Sequence, residues 1–149
     1  MRIIFSILFF ALYFTNIISA NEKNYYLILK NNEVNVRYGP GFDYPVKYVY
    51  KKKNLPIKVI DKKENFRKII DHKKNSGWIH ISQLKPSKSL IILEDKIVFK
   101  KPNKFSKPIL KLQSGRLVLV KKCKINWCKI KTENYAGWIL NSQVWGLID

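Results

Sequence analysis

The sequence predicts an all-β protein built as two small barrels in tandem behind an N-terminal export signal. Three observations carry this. Beyond residue 20 there is no amphipathic stretch long enough for a useful helix. The apolar runs are short and rich in Ile, Val, Tyr and Phe, with turn residues roughly every 8 to 12 positions, the pattern of a sandwich or barrel. And one fragment occurs twice: residues 77–84 read GWIHISQL and residues 137–144 read GWILNSQV, 60 positions apart.

The first element, residues 1–20, reads as a signal peptide. Arg2 gives a short positive start, residues 3–14 contain only Ser6 among apolar side chains, and Ala20 supplies the small residue a signal peptidase requires. An uncleaved anchor is the competing reading, but Thr15 and Asn16 break the apolar run short of the roughly 20 residues a span needs. Cleavage after Ala20 is therefore expected, leaving 149 − 20 = 129 residues and no stable transmembrane anchor. No cysteine lies near that point to take a lipid. A chain of this length fits one ordinary domain or two very small ones.

Strands follow in order. In the first half they are expected over residues 25–29, 34–37, 46–50, 55–61, 66–71 and 77–80. Leu55, Ile57 and Val59 alternate with Pro56 and Lys58, which places one face of that strand in a core. In the second half the expected strands are residues 90–93, 96–100, 109–112, 116–122, 127–131 and 136–139. Laid together, the halves match with a drifting offset. Pro45-Val46 falls on Pro108-Ile109 at 63, Leu55 on Leu117 at 62, Phe66 on Trp127 at 61 and the Gly-Trp pairs at 60. Single-residue drift means small loop deletions around a kept strand order. Two copies of this length are too few and too long for a solenoid. The join, Lys85-Pro86-Ser87-Lys88-Ser89, spans at most roughly 18 Å, so the copies are close neighbours.

The first half, VNVRYGPGFDYPV, then a strand pair, then GWIHISQL, resembles the bacterial SH3-like domain, which opens on Asn-Val-Arg-x-Gly-Pro-Gly and closes on Gly-Trp-Ile/Val. The second half, with CKINWCKI, GWILNSQ and VWGLI, resembles the degenerate second copy in small exported bacterial proteins with two such domains. The expected architecture is thus two tandem SH3-like barrels, residues 21–86 and residues 90–149. The second copy has VFKKPNK where the first has the Arg and the Gly-Pro-Gly.

Gly39-Pro40-Gly41 reads as a type II turn, with Pro fixing φ and Gly41 taking the positive φ. It is either a turn and nothing more, or the device that displays Tyr38, Phe42 and Tyr44 along the long loop. Related barrels hold extended peptides in aromatic-lined grooves between loops, and the resemblance implies cell-wall peptide or glycan as the ligand. Arg37 has two readings: a brace across backbone carbonyls, or a fork for a ligand carboxylate. Gly77 and Gly137, inside strand patterns, mark a bulge or a close backbone approach. Trp78 and Trp138 follow them. Trp78 is a candidate groove floor facing Tyr38, Phe42 and Tyr44, and Trp138 a core residue. Ser-Gln-aliphatic then suits a 3₁₀ turn before the last strand, with Leu84 and Val144 plugging each core.

Cys123 and Cys128 are the only cysteines, and Cys-x4-Cys across a hairpin turn in an oxidising compartment predicts a disulfide. In the first copy Arg67 stands in the place of Cys128 and Asp61 near that of Cys123, so an ion pair is expected there instead.

Charge and catalysis bound the function. The formal net charge is +19, or +18 without Arg2, and 25 of the 29 cations are Lys. Twenty Ile and thirteen Asn suggest A+T-rich coding, which makes Lys a default surface residue, while the rival reading is contact with an anionic polymer or lipid surface. Export argues against nucleic acid as a partner. His72 sits in a Lys-rich hairpin, His80 matches Leu140, and the acids are scattered. No catalytic residue, metal ligand or cofactor is therefore assigned, and the chain is expected not to be an enzyme. The expectation is an exported, periplasmic or extracellular module that binds peptidoglycan or a wall-linked partner through the first copy. The alternative is a scaffold that binds another envelope protein.

Overall fold

The computed structural model describes residues 24–146; the expected signal peptide lies outside the described residues. The first copy contributes β1 (Tyr25–Leu29), β2 (Val34–Arg37), β3 (Val46–Tyr50), β4 (Pro56–Lys63), β5 (Phe66–Ile70), β6 (Ser76–His80), a 3₁₀ turn (Ile81–Gln83) and β7 (Leu84–Pro86). The second contributes β8 (Ser89–Ile92), β9 (Lys96–Phe99), β10 (Pro108–Leu112), β11 (Leu117–Lys124), β12 (Trp127–Thr132), β13 (Tyr135–Leu140) and β14 (Val144–Trp145). Twelve of these strands lie where the periodicity puts them. The two closing strands, β7 and β14, are too short to show any alternation.

Each copy forms one seven-stranded antiparallel sheet. The orders are β3-β2-β6-β5-β4-β1-β7 and β10-β9-β13-β12-β11-β8-β14, the same path with every number raised by seven. Even the irregularities repeat. A register shift in the β2–β3 ladder recurs between β9 and β10, and one between Val59 and Asp61 recurs between Val120 and Lys122. Arg37 pairs with Val46, and Phe99 with Pro108, so the offset through the long loop is 62. The value of 63 read from the Pro-aliphatic dipeptides is thus wrong. Pro108 corresponds to Val46, and the loop has the same length in both copies.

Alternation fills two cores. Val34, Val36, Ile57, Val59, Ile69, Ile79 and Leu84 close on one another in the first barrel, and Val98, Val118, Val120, Cys128, Ile130 and Ile139 in the second. Leu84 is buried and Val144 packs against its core, so both residues after Ser-Gln close the ends. The 3₁₀ turn forms only in the first copy. There the His80 ring accepts from the Ser82 N–H and caps it. Leu140 cannot cap, and residues 141–143 stay a bend with Gln143 at φ 50°.

The barrels are welded along β8, in which all four residues are buried. Leu90 and Ile92 face the second core, while Ile91 belongs to the first. Ser89 Oγ donates to the Asn54 carbonyl at 2.6 Å. From the far end of the chain, Trp145 packs against the first core, donates its indole N–H to the Pro56 carbonyl at 3.0 Å and meets Tyr26 edge-on at 5.4 Å. This explains why Pro56, assigned by alternation to the solvent face of β4, is buried. Its other side is covered by the second barrel.

Candidate functional site

The long loop of the first copy leaves β2 at Arg37 and returns at Val46. Tyr38 N–H donates to the Pro45 carbonyl at 3.2 Å and closes its neck. Gly41 N–H then donates to the Gly39 carbonyl at 3.0 Å. That is an i→i+2 bond around Pro40, an inverse γ-turn, which wants φ near the value the proline ring imposes. The expected type II turn is therefore not formed, and Gly41 does not take a positive φ. What Gly39 supplies is room, because a Cβ there would overlap the Tyr44 ring.

Arg37 holds this loop from beneath. Its Nη1 donates to the Tyr44 carbonyl at 2.8 Å and to the Phe42 carbonyl at 3.4 Å, and its guanidinium lies 5.4 Å from the Phe42 ring centre. The other guanidinium nitrogens have no protein partner among the described residues. Tyr38, Phe42 and Tyr44 are 63%, 65% and 43% exposed. Lys47 lies over the Tyr38 ring at 5.6 Å.

The floor under Phe42 differs from the one the sequence suggests. Phe42 meets Phe66 edge-on at 5.2 Å and lies tilted against His80 at 5.0 Å, and those two rings meet edge-on at 5.1 Å. Trp78 is half-buried and pairs through its backbone with Arg37, but no ring contact joins it to Tyr38, Phe42 or Tyr44. Phe66 and His80 were thus missed as neighbours of the loop. Their strands β5 and β6 are adjacent, with Phe66 directly across from His80. The usable signal was Ser82 two residues after His80: its Oγ lies 2.7 Å from Nδ1, and its N–H also points there, which fixes the ring's orientation. Arg67 does not pair with Asp61. Its Nη1 donates to the carbonyls of Glu64 and Phe66, because the register sets Lys62, not Asp61, opposite Arg67.

At the other end of the same sheet a buried carboxylate ties the β5–β6 turn to β3. Asp71 accepts from the N–H groups of Lys73 and Asn75, the Asn75 side-chain amide and the Tyr50 hydroxyl, all at 2.9 Å. Burial pushes its pKa up, but these bonds, those from Asn75 foremost, outweigh burial and hold it below the ordinary value. Tyr50 is pushed far up, chiefly by burial and its bond with Tyr48.

In the second copy the loop keeps its backbone and loses its furniture. Asn103 N–H donates to the Lys101 carbonyl at 2.8 Å around Pro102, and Ser106 N–H to the Asn103 carbonyl at 3.3 Å, matching the bonds of Gly41 and Tyr44. Phe99 stands where Arg37 stands, so no guanidinium braces the loop. The Ser106 hydroxyl and the Asn103 side chain accept backbone N–H groups from within it instead. Lys104 replaces Phe42, and the space Phe42 fills in the first copy is open here. A cleft of about 490 Å³ lies between Pro102–Phe105 on one side and Trp127, Leu140 and Ser142 on the other.

Both Gly-Trp corners are close approaches. A Cβ on Gly77 would overlap Val36 and sit 3.0 Å from the Arg37 carbonyl, and one on Gly137 would come within 2.8 Å of the Phe99 carbonyl. Trp138 is 7% exposed yet lies outside the second core cluster. It projects from the opposite face to Ile139 and is roofed by Lys122 and Lys124, 5.8 and 5.5 Å from its ring. Trp138 is thus buried, as a core role requires, but on the face away from the second core cluster, with two lysine ammonium groups near its ring. Cys123 and Cys128 are directly cross-strand and form the disulfide.

Among known proteins, the family model described as the bacterial SH3 domain matches this chain twice, over residues 30–86 and 95–146. No curated protein matches it. Among solved structures, NlpC2 and NlpC1 of Trichomonas vaginalis are similar, each at 13% identity with a TM-score of 0.38, over 82% and 85% of this chain. The chain spans about half the length of those proteins, 48% and 47%.

Proposed function

The chain belongs to the bacterial SH3 domain family, and from that premise we propose that it is a non-catalytic binding module of the cell envelope. The first barrel holds peptidoglycan, or a partner linked to it, through the loop of Arg37, Tyr38, Phe42 and Tyr44. One observation carries this reading: three aromatic rings stand largely exposed on a loop that is braced rather than loose. Fixed aromatic faces suit sugar rings and extended peptides, and little ordering entropy is lost on binding. The free edge of Arg37 offers two N–H donors to a carboxylate beside them. The Cys123–Cys128 disulfide suits an oxidising compartment, which supports export.

Pull-down of residues 21–149 on purified sacculi across a salt series tests this. Retention that survives about 0.15 M salt and falls in Tyr38→Ala and Phe42→Ala is the expected result. No retention at low salt excludes wall binding and leaves an envelope protein as the partner.

A further inference from the structure

The second barrel carries a surface that the wall-binding reading does not use. Two loops meet at one end of it, residues 100–107 and the β11–β12 hairpin; Phe105 and Asn126 line the same cleft. Phe105, on the first loop, is fully exposed, and Ile125, at the hairpin tip beside Asn126, is 88% exposed. They are the most exposed large hydrophobic side chains among the described residues. The offset of 62 places Phe105 where the first barrel has Asp43, and the hairpin register places Ile125 where it has Glu64. Both tips are acidic in one copy and apolar in the other.

The charge around them differs in the same sense. Residues 100–107 hold four lysines and no acid, whereas their counterparts, residues 38–45, hold one acid and no lysine. Residues 121–129 hold four lysines and no acid, whereas residues 60–68 hold four cations and two acids. Among the described residues none of these eight lysines is in an ion pair. The disulfide sits at the base of the hairpin and fixes the tip that carries Ile125.

We propose that this end of the second barrel docks on a bilayer containing anionic lipid, with Phe105 and Ile125 entering the boundary between headgroups and acyl chains and the surrounding lysines meeting lipid phosphates. Apolar tips on a basic rim are what an interfacial site needs: the apolar side chains supply depth and the cations supply attraction that falls off within a Debye length. A soluble polyanion would use the lysines alone and leave both tips in water. A lysine can lay its stem along apolar surface and keep its charge at the phosphates.

Both sheets and both cores lie within residues 24–146, so residues 21–149 retain the fold and remove the apolar leader from the test. Sedimentation with phosphatidylcholine vesicles is compared with sedimentation on vesicles that also contain phosphatidylglycerol. Binding is expected only on the latter. Phe105→Ser with Ile125→Ser, whose melting temperature checks folding, is expected to weaken it about tenfold or more, the scale of two partly buried side chains. A Phe105→Trp variant is expected to shift its emission to the blue and to be quenched by brominated acyl chains. No binding to phosphatidylglycerol overturns the proposal. So does binding that the double substitution leaves intact and about 0.15 M salt abolishes, which is adsorption by charge alone. The double variant keeps its retention on sacculi, so failure here and failure of the wall-binding reading are told apart.

Discussion

At the tip of its long loop the first barrel carries Asp43 and the second Phe105; at the neighbouring hairpin the first carries Glu64 and the second Ile125. Beneath those tips the backbones agree, down to the γ-turn around Pro40 or Pro102 and the paired register shifts. The first copy spends Arg37, Phe42, Phe66 and His80 on one packed cluster that fixes the loop. The second replaces them with Phe99, Lys104, Trp127 and Leu140, leaves a cleft, and stiffens the hairpin with a disulfide instead. The lesson is that the strand framework sets where the loops emerge, while a few side chains beneath them decide what they present.

The largest effect expected bears on whether the copies are separate at all. Ile91 is fully buried and lies in the second copy's first strand, yet it packs in the first core. Ile91→Ala should cost about 2–5 kcal/mol and lower one cooperative melt as a whole. A calorimetric trace with two transitions, one of them unmoved, would show the barrels to be independent. Next, Cys123→Ser with Cys128→Ser should cost about 2 kcal/mol through the unfolded chain, read from urea midpoints. Replacing Arg67 in the first copy should cost far less, since it only bonds its own turn.

The Asp71 network has no counterpart, because Thr132 occupies that place in the second copy. Asp71→Asn should cost about 1–3 kcal/mol at neutral pH, the penalty of a disrupted buried hydrogen-bonding group. The folded pKa lies below the ordinary carboxylate value, so the stabilisation is complete above that value and is lost as pH falls through the folded pKa. Wild type and variant should therefore converge in acid, and a gap that stays constant from pH 7 to about 2 would refute the assignment. Arg37→Ala should cost only about 1 kcal/mol in stability, but amide hydrogen exchange should quicken across residues 38–45. Equal exchange in wild type and variant would mean that the brace is dispensable.

Much of this was legible in the residues. Valine and isoleucine alternation located twelve strands, and Cys-x4-Cys located the disulfide. The misses have physical causes. β7 and β14 hold only three and two residues, too few for a period. Gly-Pro-Gly suits several turns, and the γ-turn was chosen by the neck bond and the Tyr44 ring, which come together only in the fold. Trp138 is buried, but Gly137 and Ile139 take the inner face of β13 and leave it the opposite one. Phe66 and His80 lie far from Phe42 in sequence, and only the β5–β6 register brings them under it. The SLII run at residues 89–92 looked like an ordinary strand. Its burial on both faces was the trace of the weld.

That weld makes the pair a single heritable part. A barrel copied into another chain as a cassette would carry Pro56 and Tyr26 stripped of their cover, or Ile91 and Trp145 with nothing to enter. Because β8 serves both cores and Trp145 returns to the first, the loops of the two barrels are tied together through one shared set of buried side chains.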